Sequence, residues 1–301
     1  MTELAGQHPQ ILLMTGDLGY MAIEPFADAF PERFFNAGVA EQNMVGMATG
    51  LAEAGYIPFT YSIGTFASLR PFEFFRNGAI LHQLPVRVAG VGGGFEYGSA
   101  GLTHFGLEDV GVLRTQPGLT LVAPADHQQA RTALLQTWNQ PGPVYYRLGK
   151  DDRSVVPGLD GRFELGRAQM VRDGSDVLLL AMGSIAGEAV RAAELLEKDG
   201  VQATVIVVAS LTPAPHADLA RALSGFPVAL TVEAHYLVGG LGSLVSEVAA
   251  GLGVSCRVIR CGVQGSDDGR TGSQEFLHRQ HGLSAEALAA TALRALGRKR
   301  A

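Results

Sequence analysis

Glu41 lies in the run Gly38-Val39-Ala40-Glu41-Gln42-Asn43-Met44-Val45-Gly46-Met47-Ala48-Thr49-Gly50-Leu51-Ala52, a lone carboxylate at the mouth of an apolar, small-residue helix. A carboxyl group on a partly buried surface of this kind is costly to ionise without a partner, which suits it to giving or taking a proton. A glutamate in a first helical turn also complements the helix dipole without any chemical role, and the run alone is compatible with both readings. Four further segments hold side chains fit for chemistry. Thr15-Gly16-Asp17-Leu18-Gly19 follows the first strand-like run, and Asp17 there is either a functional carboxylate or an Asx turn leaving the strand. Phe66 opens a run that also carries Arg70 and Arg76; the plain readings are a core aromatic and helix-surface charges. The glycine-rich stretch 90–104 ends in His104, and histidines in such loops otherwise face solvent. Arg147 stands at the carboxyl end of a strand-like run, where ligands of open α/β sheets bind.

The elements that must position these residues are read from alternation. Short β-rich runs at 11–14, 33–36, 57–61, 86–91, 119–123 and 144–147 alternate with helical patterns near 41–54, 66–82, 107–115 and 126–138, with Asp126 as N-cap of the last. This is the mark of a parallel sheet covered by helices. Around 151–167 the chain turns polar and rich in Pro-Gly and Asp-Gly, and then the alternation restarts. Strands are expected at 176–182, 203–208, 228–232 and 256–260, with a helix capped by Ser184 running through 198 and a closing helix at 284–296. The fold class is α/β with two parallel-sheet domains, 1–155 and 173–301, joined by a linker at 156–172.

With 301 residues and 47% hydrophobic content the chain can bury cores for both domains, and its 39 glycines predict many tight turns. A formal net charge of -6 offers no footprint for nucleic acid or an anionic membrane surface. The basic end Arg298-Lys299-Arg300 reads as a solvated tail. Cys256 and Cys261 fall on opposite faces of one expected strand, which argues against a disulfide between them. There is no signal-peptide pattern and no apolar run long enough to span a bilayer, so a cytoplasmic setting is expected.

Taken together, Ala40-Glu41-Gln42, Phe66, Thr103-His104 with Leu107-Glu108-Asp109, and Arg147 resemble the pyrimidine-binding domain of the transketolase family of thiamine diphosphate enzymes. Val232-Glu233-Ala234-His235, Gly239-Gly240-Leu241-Gly242-Ser243 and Gly272-Ser273 resemble that family's C-terminal domain, where Glu233 and His235 read as structural. The resemblance covers nearly the whole chain and is greatest to the C-terminal subunit of split transketolases. The family's diphosphate and metal motif, a Gly-Asp-Gly run with paired asparagines about thirty residues later, has no counterpart; Ser266-Asp267-Asp268-Gly269 comes nearest and reads as a surface turn.

The resemblance implies thiamine diphosphate shared with an N-terminal transketolase subunit, which holds the diphosphate through Mg2+ or Ca2+ in an α2β2 heterotetramer; this chain holds no metal itself. It implies that Glu41 hydrogen-bonds the pyrimidine N1′ and so activates the cofactor, with no Lys or Arg within several residues of it. Phe66 would stack on the pyrimidine, Asp17 and Leu18 would lie near the thiazolium, and His104 would contact the substrate carbonyl. Arg147 would bind a sugar phosphate through its planar fork, and Arg70 would face the site. The implied activity is transfer of a two-carbon ketol unit from a ketose phosphate to an aldehyde. Single-chain transketolases carry an aspartate where Ala100 stands and a histidine where Gly92 stands, so the acceptor expected here is a modified sugar or a different aldehyde. The rival readings are the β subunit of a 2-oxoacid dehydrogenase E1 component, a deoxyxylulose phosphate synthase-like enzyme, and a non-catalytic interaction subunit.

Overall fold

A computed structural model describes residues 1–265 and 269–298. The turn expected at 266–268 and the basic residues 299–300 lie outside them.

Among the described residues the strands are β1 Ile11–Thr15, β2 Phe34–Asn36, β3 Ile57–Ile63, β4 Arg87–Val91, β5 Thr120–Val122, β6 Val144–Leu148, β7 Gln169–Arg172, β8 Val177–Met182, β9 Ala203–Val207, β10 Ser210–Thr212, β11 Val228–Tyr236 and β12 Arg257–Val263. The helices are α1 Thr2–Gln7, α2 Glu24–Ala29, α3 Glu41–Glu53, α4 Gly64–Leu69, α5 Phe72–Phe75, α6 Asp109–Leu113, α7 His127–Thr137, α8 Ala186–Lys198, α9 His216–Ser224, α10 Leu241–Leu252, α11 Gln274–Gln280 and α12 Ala285–Ala295. None is long and apolar enough to cross a membrane, among the described residues.

Seven strands form the first sheet in the order β10-β5-β6-β4-β3-β1-β2, and five form the second in the order β12-β11-β8-β9-β7. Both are parallel except at one edge, where β10 runs antiparallel to β5 and β7 antiparallel to β9. The central strands β1, β8 and β9 are buried along their whole length, as continuous apolar runs require when helices cover both faces. From β1 the chain passes to β2 on one side and returns through α3 to β3 on the other. The loops therefore diverge beside the carboxyl end of β1, which is where open α/β sheets bind ligands.

Three expectations change. The helix expected over 66–82 is broken into α4, α5 and a π-helical turn at Arg76–Ile80, because Pro71 follows α4 and cannot continue its hydrogen-bond ladder. Ser184 does not cap α8; it lies in a 3-10 turn and its Oγ donates to Glu96 Oε1 at 2.6 Å. The stretch expected as a linker ends in β7, and β10, from the second half, edges the first sheet, with Ala123 N donating to Ala209 O at 2.7 Å. The two halves thus share structure as well as a seam, and one apolar cluster runs from Phe59 and Phe95 through Ile185 to Leu277. Asp126 does cap α7, accepting from Gln129 N at 2.8 Å, and Ser284 caps α12. Both cysteines are free thiols.

Candidate active site

Glu41 is the first residue of α3, and its carboxylate is buried against the loop that follows β1. Gly16 makes that approach possible: a Cβ there would stand 3.2 Å from Glu41 Oε1, so a larger residue would push the carboxylate away. Ser62, near the end of β3, donates from Oγ to Glu41 Oε1 at 2.8 Å. Arg70 Nη1 donates to Oε2 at 2.7 Å. The expectation of a carboxylate without a partner is therefore corrected. The sequence interval around Glu41 is free of cations, but the turn at the end of α4 brings one across the sheet.

Arg70 also sits over Phe66, with its guanidinium carbon 3.8 Å from the ring centroid. Phe66 is half-buried, and His104 meets it edge-on at 5.1 Å between centroids. His104 closes a 3-10 turn, Leu102–His104, at the end of the glycine-rich loop, and its Nδ1 is 2.9 Å from Thr103 Oγ1. The structure thus gathers Glu41, Phe66, Arg70 and His104 at the carboxyl ends of β1, β3 and β4.

Asp17 lies on the same rim in a left-handed conformation, φ 60°, and accepts from Asn36 Nδ2 at 2.8 Å. Leu18 is fixed by a local turn in which Thr15 Oγ1 donates to its carbonyl at 2.6 Å. At Gly92, φ 83°, an added Cβ would come within 2.2 Å of the Tyr97 ring, so that aromatic fills the space a side chain at 92 would need. Lys150 Nζ sits 4.0 Å over the same ring.

Arg147 is elsewhere. Its side chain is buried, and Nε donates to both oxygens of Asp109 at 3.1 and 3.0 Å. Nη2 donates to the carbonyls of Gly106 and Ala234 at 2.8 and 2.9 Å, joining the glycine loop to β11. Tyr145 donates to Asp109 Oδ2 at 3.0 Å. A guanidinium enclosed and committed in this way has no face for a sugar phosphate, so the phosphate-binding expectation for Arg147 is corrected to a role in closing the seam between the halves.

Glu233 and His235 belong to the same seam, as their structural reading has it. Glu233 accepts from the first-turn N–H groups of Leu241 and Gly242 at 2.7 and 2.8 Å, so it caps α10. That contact explains Gly240: a Cβ there would fall 2.0 Å from Glu233 Oε2. His235 Nδ1 is 2.6 Å from Tyr236 O and so carries the proton, leaving Nε2 to accept from Gly111 N at 3.1 Å. Burial holds its pKa below the usual histidine range, in keeping with that neutral tautomer. Burial also pushes the Glu233 carboxyl up to about 7, against the two backbone N–H groups that pull it down.

Sequence reasoning missed Ser62, and it placed Gly16 and Asp109 within motifs without assigning either a part. A serine inside a strand and a glycine after one carry no local mark of function; only register across the sheet places them beside Glu41. Among the described residues no three His, Cys, Asp or Glu side chains converge as a metal site would require.

This fold, with a buried glutamate and an aromatic at the carboxyl edge of its first sheet, is that of the pyrimidine-binding and C-terminal domains of transketolases. The family model for the transketolase pyrimidine-binding domain matches residues 1–153, and that for the transketolase C-terminal domain matches 166–288. The chain belongs to the transketolase family. It is 35% identical over 292 residues to a putative transketolase C-terminal section of Methanocaldococcus jannaschii, covering 96% of this chain and 91% of that one. It is 34% identical over 299 residues to a subunit of the apulose-4-phosphate transketolase of Phocaeicola vulgatus, covering 97% and 94%. Among solved structures, a split gene transketolase described as an inactive beta4 tetramer superposes with a TM-score of 0.88 at 35% identity, covering 99% of this chain and 96% of that one.

Two outcomes follow at the seam. Asp109→Ala leaves the Arg147 charge buried and unpaired, and urea unfolding should show a loss of about 3 kcal/mol; a loss within the scatter of surface substitutions would contradict the seam role. A carboxyl whose pKa is raised in the folded state is protonated natively where the unfolded chain has already ionised. Its stabilising contribution is present below the ordinary value of 4.5 and is lost as pH rises to about 7. Glu233→Gln stays neutral but sets its NH2 against one of the two backbone N–H groups, so its Tm should lie below that of the parent chain at low pH and the deficit should shrink between about pH 5 and about pH 7. A pH-independent difference in Tm would contradict it.

Proposed function

We propose that this chain is the pyrimidine-binding and C-terminal subunit of a two-component, thiamine diphosphate-dependent transketolase. The observation that carries this reading is the pairing of a buried acceptor, Glu41, with the face of Phe66, the two being bridged by the one guanidinium of Arg70. These residues fit an aminopyrimidine, a flat ring with polar edges: Phe66 would stack on its face and Glu41 would hydrogen-bond its N1′ edge. Asp17 and Leu18, fixed on the same rim, would border the rest of the cofactor. When bound, thiamine diphosphate supplies a nucleophilic thiazolium carbon able to carry a two-carbon ketol unit from a ketose to an aldehyde.

The chain's own residues then divide the work. Ser62 orients one oxygen of Glu41, leaving the other to the ring edge. His104, at the rim of Phe66, would hold or move a proton at the substrate oxygen, an effect worth about a hundredfold or more in rate. Tyr97, filling the space beside Gly92, would present a ring and hydroxyl to the acceptor in place of the histidine of single-chain transketolases. That change supports a modified sugar as substrate, and the Phocaeicola relative is named for one sugar phosphate, apulose-4-phosphate.

The diphosphate and its Mg2+ or Ca2+ would be held by an N-terminal transketolase subunit in a heterotetramer, in a cytoplasmic setting. The exposed apolar side chains of Tyr20, Met21 and Val39, flanking the Asp17 loop and the start of α3, support docking of that subunit over the site. Reconstitution with the partner should give cofactor-dependent ketol transfer, and Glu41→Ala should lower it by about a hundredfold or more. Undiminished transfer by that variant would sink the mechanism. Pyruvate decarboxylation without ketol transfer would move the reading to the dehydrogenase or deoxyxylulose phosphate synthase type, and absence of cofactor uptake with the partner present would favour an interaction subunit.

A further inference from the structure

We propose that Arg70 is a resident stand-in for the cofactor's aminopyrimidine, occupying its place in the free chain and turning out when the cofactor enters. The inference rests on the reading that Glu41 and Phe66 hold that ring. Arg70 makes two contacts toward the site. Its Nη1 donates to Glu41 Oε2 at 2.7 Å, and its guanidinium carbon stands 3.8 Å from the Phe66 ring centroid. Each is a contact the aminopyrimidine would make: a planar donor edge toward the carboxylate and a flat face on the aromatic. Guanidinium and aminopyrimidine are alike in these respects, being planar, delocalised and edged with N–H groups.

The physical need for a stand-in follows from burial. The Glu41 side chain is 0% exposed, so an ionised carboxylate there with only the Ser62 hydroxyl would be a costly buried charge. Arg70 offsets that cost while its own side chain remains 41% exposed, which leaves it a route back to water. Its position favours release as well. It ends α4 immediately before Pro71, outside any regular helix, whereas Arg147 is locked by Asp109 and two carbonyls. Arg70 and the cofactor therefore compete for one carboxylate and one ring face. The apparent cofactor affinity is the intrinsic affinity multiplied by the fraction of molecules in which Arg70 is unseated.

The test is calorimetric titration of thiamine diphosphate, with Mg2+, into the complex of this chain and its partner subunit. Arg70→Met removes the competing charge and plane, and the dissociation constant should fall by about tenfold. Arg70→Lys keeps a charge for Glu41 but cannot lie flat on Phe66, so it should tighten binding by a smaller factor. In the free chain, Arg70→Met should lower Tm, and adding Glu41→Gln should restore part of that loss, because the second change removes the stranded charge. Cofactor binding at parental strength or weaker in both Arg70 variants would overturn the proposal. No uptake by the unmodified complex would instead refute the reading on which it rests.

Discussion

A carboxylate taken out of water must be given partners, and the site is organised around meeting that condition at Glu41. The first turn of α3 carries it to the carboxyl end of β1, Gly16 gives it room, and Ser62 and Arg70 supply donors from two other elements. The order β4-β3-β1-β2 makes this possible, since it sets the loop after β1 beside the turn that follows β3. Phe66 and His104 are placed by the same neighbourhood. The placement of Glu41 is thus a consequence of where the strand order switches from one side of β1 to the other.

A buried ion pair holds the chain just past the His104 end of the glycine-rich loop. Arg147 and Asp109, closed in by Tyr145 and the carbonyls of Gly106 and Ala234, tie that loop to β11. Glu96 adds a further tie, accepting from Ser184 in the second half. His104 is therefore presented by a loop anchored at the seam, and the C-terminal half contributes to the site by fixing that loop in place. β10, from the second half, also edges the first sheet against β5.

Much of this was legible in the sequence. The strand runs of the first half, the cap at Asp126, and the grouping of Glu41 with Phe66 and His104 follow from periodicity, turn chemistry and the family resemblance. The short strands β7 and β10 were not legible, because three or four residues without alternation look like loop and only pairing with a neighbour makes them strands. Arg147 was misread for a related reason: a strand end is where ligands bind, but its partner Asp109 is remote in sequence and occupies the guanidinium. Arg70 carried the same ambiguity in reverse. A helix-surface arginine by spacing, it is the partner of a buried acid 29 residues away in sequence.

The central claim is that Glu41 and Phe66 form half of a cofactor site completed by another chain. Calorimetric titration of thiamine diphosphate with Mg2+ into this chain alone, and into the chain mixed with an N-terminal transketolase subunit, tests it most directly. Saturable binding of one cofactor per chain in the mixture only is the predicted result. Equal binding with and without the partner subunit, or binding in neither case, would contradict it.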